Sequence, residues 1–254
     1  MTFSSISAEL DGKRAVVTGG SRGIGAAIAQ RLLDAGAIVI AAARSATEHT
    51  PSAAKFVPAD VSTRDGVRAL ADTVLETLGG VDIVVNNAGG ARPLPAALEI
   101  SDEDWQNALD INLLSAVRLN AALAPSMVAQ GAGVIVNISS IITHSPAGSL
   151  LHYAAGKAAL ETYTMGLSTE LAPHGVRVVT LAPGNVVSPG GDEVRSEIID
   201  RFGLDDSVFD AGVPLGRMGQ TSDIAEAVAF LVSDRASWIT GSRLVVDGGE
   251  SPHR

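Results

Sequence analysis

The chain has 254 residues, 46% of them hydrophobic, which is enough to bury one large core in a single domain spanning residues 1–254. A formal net charge of −10 argues against nucleic acid or an anionic membrane as a partner, because both bind clustered Lys and Arg. The absence of cysteine excludes disulfides, thiolate catalysis and cysteine-based metal sites, and we expect no metal. The first residues lack the basic and apolar segments of a signal peptide, so we expect a cytoplasmic protein.

Short β-branched runs alternate with longer segments of helical periodicity along the chain. The predicted strands cover residues 15–17, 38–40, 56–57, 81–85, 133–138, 176–181 and 243–246. Apolar residues at three- and four-residue spacing predict helices that include residues 63–78, 101–130, 151–172 and 222–233. This alternation predicts an α/β fold, a doubly wound parallel sheet of seven strands flanked by helices on both faces.

Residues 185–213 depart from this alternation. They begin as a loop through Val187-Ser-Pro-Gly-Gly and continue as a short predicted helix over residues 192–202. An insertion near the carboxyl ends of the strands lies where a lid over the substrate is expected.

The stretch TGGSRGIG, residues 18–25, joins the first strand to the first helix. Gly19, Gly23 and Gly25 let the backbone approach a ligand, and the free amides at a helix N-terminus favour a pyrophosphate. The spacing Gly-x-x-x-Gly-x-Gly differs from the standard dinucleotide fingerprint, and no Lys-Ser/Thr pair follows to make a P-loop. The motif indicates dinucleotide binding, with a tight turn that binds no ligand as the alternative.

The residues after the second strand bear on the choice of cofactor. An NAD-binding unit places a carboxylate there for the ribose hydroxyls, but this chain has Ala43 and Arg44. Arg44 and Arg22 are available to pair with a 2′-phosphate, so we favour NADP(H) over NAD(H). The alternative is that both arginines are solvated surface charges.

Tyr153-Ala-Ala-Gly-Lys157 lies within a predicted helix, so Tyr153 and Lys157 share one helix face. An ammonium about 4 Å from the phenol at an effective dielectric of about 20 contributes about 4 kcal/mol, equivalent to roughly three pKa units. We therefore expect Lys157 to bring the pKa of Tyr153 close to working pH. The alternative is an ordinary pair of surface side chains.

Several motifs occur together and in order over nearly the whole chain, and with them the sequence resembles the short-chain dehydrogenase/reductase family. They are TGGSRGIG, Asp60-Val61, Asn86-Asn-Ala-Gly89, Asn112, Val136-Asn-Ile-Ser-Ser140, Tyr153-x-x-x-Lys157, Pro183-Gly184 and Ile239-Thr-Gly with Val245-Val-Asp-Gly-Gly249. The resemblance implies a Rossmann-fold oxidoreductase that transfers hydride between NADP(H) and a ketone or secondary alcohol, assembled as a dimer or tetramer.

The resemblance also implies roles for individual residues. Tyr153 is the general acid or base, Lys157 lowers its pKa and binds the nicotinamide ribose, Ser140 orients the substrate oxygen, and Asn112 holds a water of a proton relay. Ser139 is rejected for the serine role on its spacing from the tyrosine. The implied cofactor contacts are Gly19, Ser21, Arg22, Gly23, Ile24, Gly25, Arg44, Asp60, Val61, Asn87, Ala88, Gly89, Tyr153, Lys157, Pro183, Gly184, Val186 and Ser188.

The substrate is a small or medium carbonyl compound or alcohol in this interpretation. Residues 141–152 and the lid are expected to wall the pocket, with Leu150, Leu151, Ile141 and Ile142 apolar and His144 and His152 polar. In relatives that act on acyl carrier protein, basic residues near the entrance receive the carrier. Here the corresponding turns, 130–133 and 173–175, contain no Lys or Arg, which argues against that substrate.

Three departures from the family pattern remain compatible with activity. Gly156 replaces a frequent Ser, Ser188 replaces a common Thr, and Asn185 stands where an apolar residue is usual. Two alternative functions stay open. One is an NAD-dependent alcohol dehydrogenase of the same family, and the other is a cofactor-sensing binding protein without catalysis.

Overall fold

The computed structural model describes residues 9–203, 205 and 207–251; the N-terminal segment that supports the cytoplasmic assignment lies outside them. The strands are β1 (Arg14–Thr18), β2 (Ile38–Ala43), β3 (Lys55–Pro58), β4 (Ile83–Asn86), β5 (Gly133–Ile138), β6 (Val176–Pro183), β7 (Val186–Val187), β8 (Gly219–Gln220) and β9 (Arg243–Val246). The helices are α1 (Gly23–Asp34), α2 (Arg64–Leu78), α3 (Asp102–Leu109), α4 (Ser115–Gln130), α5 (Leu151–Leu171), α6 (Pro189–Phe202), α7 (Ser207–Ala211) and α8 (Thr221–Val232).

The predicted fold class is confirmed. Seven parallel strands form one sheet in the order β3-β2-β1-β4-β5-β6-β9. The strand order reverses between β1 and β4, which is the topological switch point at which α/β proteins bind ligands.

Side chains of alternate residues in the buried strands point to opposite sides of the sheet and belong to two apolar layers, one on each side. In β1, Val17 packs with α1 and α8 through residues such as Ile28 and Val228. Its neighbour Val16 packs on the opposite side with α2 and α4 through residues such as Leu70. Burial on both sides explains why the strands are continuous apolar runs.

The helix predicted over residues 101–130 is interrupted. Its path consists of α3, a π-helical turn at Asp110–Leu114, and α4. The whole run, Asp102–Gln130, is long and apolar enough to cross a membrane by length and composition alone, a test that core helices also pass. Leu119, Leu123 and Met127 of α4 belong to the buried layer against the sheet.

The other differences concern element boundaries. β4 begins at Ile83 rather than at residue 81, and the Asp82 carboxylate binds Arg14 instead. α6 begins at Pro189 rather than at residue 192, because Ser188 caps it by accepting from the Gly191 amide and proline suits the first helical position. β7 and β8 form a separate two-stranded parallel sheet that was not predicted.

Candidate active site

A cavity of about 1210 Å³ opens at the carboxyl ends of β1, β4, β5 and β6. Every predicted site residue except Asn112 lines it. Single-ligand pockets usually measure about 300–1,000 Å³. The cavity therefore has room for a dinucleotide and a second small molecule side by side.

The glycine turn forms one end of this cavity. A Cβ on Gly25 would lie 2.1 Å from the Gly19 carbonyl oxygen, and Gly19 and Gly23 have φ values of 66° and 56°. Arg22, the N-cap residue of α1, makes no side-chain capping bond. The first amides of α1 therefore stay available to an anion, which fits a pyrophosphate.

Asn87 holds the glycine turn in place. Its Nδ2 donates to the Thr18 carbonyl at 2.9 Å, while the Thr18 hydroxyl accepts from the Asn87 and Ala88 amides at 3.1 and 3.0 Å. The Asn87 side chain thus joins the end of β4 to the end of β1. Asn87, Ala88 and Gly89 all line the cavity.

Both arginines expected to bind a 2′-phosphate reach the cavity, and within residues 9–203, 205 and 207–251 only Arg22 has an ion-pair partner. Arg44 is exposed and lies close enough to Asp60 to contribute to the lowered pKa of that carboxyl, whose main cause is the hydrogen bond from Ser62. Arg22 donates to Glu193 on α6 at 2.8 Å. This ion pair connects the glycine turn to the lid segment across the cavity.

Tyr153 and Ser140 meet in the wall of the cavity. Burial raises the pKa of the Tyr153 phenol above its ordinary value, and a hydrogen bond with the Ser140 side chain partly offsets the rise. The Ser140 oxygen also accepts from the Ile142 amide at 3.3 Å. A donor and an acidic hydroxyl are thus paired as protonation of a carbonyl oxygen requires.

Lys157 is buried beneath this pair, with 3% of its surface exposed. Its Nζ donates to the Ile138 carbonyl at 2.8 Å and lies 5.8 Å from the centroid of the Tyr153 ring. Burial lowers the pKa of Lys157 to about 8. The pKa of Tyr153 is therefore shifted upward by burial, opposite to the direction expected from an ammonium about 4 Å away.

Asn112 lies behind the cavity wall, in the π-helical turn between α3 and α4. Its side chain accepts from the Gly90 amide at 3.1 Å and donates to the Gly90 and Ala108 carbonyls at 3.0 Å each. A Cβ on Gly89 would lie 2.9 Å from both Asn112 Oδ1 and Lys157 Nζ. The Asn112 side chain therefore fixes the 89–90 loop, and its part in a water relay stays a prediction.

Ser139 has a partner of its own. Its hydroxyl donates to Glu161 on α5 at 2.6 Å, and Glu161 also accepts from Thr143 and from Arg243 of β9. Arg243 reaches the Ser140 carbonyl at 3.5 Å. This cluster connects the loop that carries Ser140 to α5 and β9.

The wall beyond Tyr153 is largely apolar. It consists of Ile141, Ile142, Leu150, Val194, Ile198 and Phe209. Leu151, His144 and His152 do not line the cavity, so the predicted polar contribution of the two histidines is wrong. His152 is instead buried edge-on against Trp105, 6.4 Å between ring centroids, because its position on α5 points away from Tyr153's side of the helix.

Sequence reasoning missed several lining residues. Thr47 donates to the Ser21 carbonyl and so supports the glycine turn, while Asn107 and Glu250 line the cavity from distant parts of the chain. Nothing local in the sequence marks these positions, since each depends on a contact between segments far apart.

Comparison with known proteins places this geometry in a family. A family model described as enoyl-(acyl carrier protein) reductase matches residues 19–251. The chain belongs to the short-chain dehydrogenase/reductase family. This short-chain dehydrogenase/reductase is accordingly an oxidoreductase acting on CH–OH or C=O groups.

Its relatives have varied substrates by name. It is 36% identical over 250 residues to 3-oxoacyl-(acyl-carrier-protein) reductase of Vibrio cholerae, covering 94% of this chain and 98% of that one. It is 38% identical over 252 residues to 3beta-hydroxysteroid dehydrogenase 1 of Eggerthella lenta, covering 95% and 94%. A solved structure of a short chain dehydrogenase/reductase family protein superposes with a TM-score of 0.83 at 37% identity, covering 95% and 99%.

Proposed function

We propose that this protein is an NADP(H)-dependent oxidoreductase that interconverts an uncharged ketone and a secondary alcohol. The observation that carries the proposal is the pairing of Tyr153 with Ser140 beside the buried Lys157, in a cavity that begins at an open helix N-terminus. All of these groups belong to one continuous cavity.

The residues present fit the cofactor. The glycine cradle that a Cβ at Gly25 would fill and the first amides of α1 would hold the pyrophosphate. Arg44 and Arg22 would bind the 2′-phosphate, and Lys157 would bind the nicotinamide ribose. Bound NADPH supplies the hydride for reduction.

The protein's own groups handle the oxygen and its proton. Ser140 donates a hydrogen bond to the substrate oxygen and fixes its position, which stabilises the negative charge that develops there. Tyr153 then delivers the proton to that oxygen, or removes it in the oxidative direction. Lys157, whose pKa burial brings to about 8, has an ionisation that is sensitive to its surroundings near neutral pH.

The cavity wall favours an uncharged substrate. Its apolar side is formed by aliphatic residues and Phe209, and the nearby charges are already paired: Arg195 with Asp192, and Glu193 with Arg22. Gln130, at the turn where carrier-binding relatives are expected to be basic, instead pairs with Arg14. A small or medium ketone therefore fits better than an acyl chain on a carrier protein.

One observation favours the NAD-dependent alternative. Arg22 is bound to Glu193, a carboxylate that would lie near a 2′-phosphate and repel it. Titration of NADPH and NADH by quenching of protein fluorescence separates the two. Tighter binding of NADPH supports the proposal, and tighter binding of NADH supports the alternative. Binding of either without turnover of any carbonyl substrate supports the cofactor-sensing protein.

We also propose a cytoplasmic location and a homo-oligomer, either dimer or tetramer. The edge strand β9 is half-buried along its length, unlike the fully buried strands at the centre of the sheet, which fits a surface that a second copy covers. Sedimentation of the purified protein tests the oligomeric state.

A further inference from the structure

The turn at residues 247–251, directly after β9, forms part of the cavity wall. The Asp247 carboxylate accepts from the Gly249 and Ser251 amides at 2.9 and 2.8 Å and from the Ser251 hydroxyl, and the Glu250 amide donates to the Asp247 carbonyl. These bonds close the turn on itself. Glu250 and Ser251 both line the cavity.

Glu250 binds the first residue of the lid with both carboxylate oxygens. One accepts from the Asn185 amide at 2.8 Å, and the other accepts from Asn185 Nδ2. The fit extends to Gly184, where a Cβ would lie 2.7 Å from Glu250 Oε2 and 2.6 Å from Asp247 Cβ. The turn is therefore packed directly on the segment that follows Pro183 at the end of β6.

The same turn also contacts the other end of the lid. The Leu215 amide donates to the Gly248 carbonyl at 3.1 Å. A Cβ on Gly248 would lie 2.7 Å from a methyl group of Val213, and one on Gly249 would lie 3.2 Å from Pro214. One short turn thus holds both the residue where the lid leaves the sheet and the residues where it returns.

We propose that Glu250 is a positioning residue for the nicotinamide end of the cavity, acting through Asn185. Asn185 is bound through both its main-chain and its side-chain nitrogen, which leaves it a single orientation. Glu250 therefore fixes the direction in which the lid departs from β6. Asn185 is where the family pattern has an apolar residue, and the carboxylate that satisfies it comes from more than sixty residues away. The inference rests on the proposed NADP(H) function.

The test compares two probes that fill different parts of the cavity. NADPH occupies both ends, whereas adenosine 2′,5′-bisphosphate occupies only the adenine end. In Glu250→Ala we expect the Kd for NADPH to rise about tenfold and kcat to fall, because a double charge-assisted hydrogen bond is lost. The Kd for the bisphosphate is expected to stay within about twofold of the wild type.

Four further variants make the test specific. Asn185→Leu removes the other partner of the contact. The double variant Glu250→Ala with Asn185→Leu is expected to lose no more affinity for NADPH than either single variant, since both substitutions break the same contact. Glu250→Gln keeps one acceptor oxygen, so its Kd for NADPH is expected to lie between those of the wild type and Glu250→Ala. It also replaces Glu250→Ala in the test if the alanine variant does not fold. Glu226→Gln is the matched control, because this exposed carboxylate pairs with Arg31 and neither residue is among those that line the cavity. It is expected to leave both Kd values unchanged.

Each possible result either supports or overturns the positioning role of Glu250. Unchanged NADPH binding and kcat in Glu250→Ala, additive losses in the double variant, or an equal loss of bisphosphate binding overturns the positioning role. A wild type that binds neither probe overturns the proposed function and the inference with it. A wild type that binds both, with a selective NADPH loss in Glu250→Ala, supports both.

Discussion

Lys157 Nζ lies 5.8 Å from the centroid of the Tyr153 ring, one turn further along α5, and donates to the Ile138 carbonyl. The ammonium is therefore held beneath the phenol by the backbone of β5. Burial makes protonation of Lys157 costly, since it lowers the pKa of this group to about 8, and the cost is measurable.

The stability of the protein is expected to depend on pH through Lys157. Its pKa is about 8 in the folded protein and 10.5 when exposed, so between those values the unfolded chain binds more protons and stability rises with pH. Relative to that of Lys157→Met, the free energy of unfolding of the wild type is expected to rise by about 2 kcal/mol between pH 7 and pH 9.5. Urea unfolding of both proteins at the two pH values measures this. A difference that does not change with pH contradicts the lowered pKa.

The glycine turn is expected to tolerate no side chain at Gly25. A Cβ there would lie 2.1 Å from the Gly19 carbonyl oxygen, a backbone atom that moves only if the turn opens. Gly25→Ala is expected to abolish NADPH binding in a fluorescence titration. Gly166→Ala is the matched control, because this α5 glycine is exposed with open space around it, and it is expected to raise stability by about 1 kcal/mol without affecting binding. Normal NADPH binding by Gly25→Ala would show that the ligand does not use this turn.

Cofactor preference is expected to respond to the Arg22–Glu193 pair. Glu193→Gln frees Arg22 and removes a carboxylate from the 2′-phosphate region, so the Kd for NADPH is expected to fall while that for NADH does not change. Arg44→Ala is expected to weaken NADPH binding by about 10- to 100-fold, as expected for a lost hydrogen bond to a charged group, again without changing NADH binding. Equal effects on both cofactors would mean that neither arginine binds the 2′-phosphate.

The fold could be predicted from the sequence because its signals are local and repeated. Each strand is an apolar run, each helix has its own periodicity, and seven such units leave few topologies. The start of α6 was missed although Ser188 and Pro189 carry a recognisable helix-start signal. The π-helical turn at residues 110–114 has no such local signal. Its Asn112 bonds to the 89–90 loop, a contact between segments far apart in the sequence.

The residues of the candidate site also fall into those that local sequence patterns indicate and those that they do not. The glycine turn and the Tyr153–Lys157 spacing were identified because their residues are close in sequence. Glu250 and Glu161 were not, since each meets its partner only after distant segments fold together. The direction of the Tyr153 pKa shift was also wrong, because burial depends on the surrounding packing and cannot be obtained from the spacing of two residues.

The most direct test of the central claim is the initial rate of NADPH oxidation with a panel of ketones, aldehydes, quinones and β-ketoesters, measured for the wild type and Tyr153→Phe. We expect the wild type to turn over at least one uncharged ketone, and the variant to lose about 10²- to 10⁴-fold in kcat while its Kd for NADPH is retained. Equal turnover by Tyr153→Phe would contradict the assignment of Tyr153 as the proton donor. A wild type that binds NADPH but reduces none of these carbonyls would contradict the proposed activity.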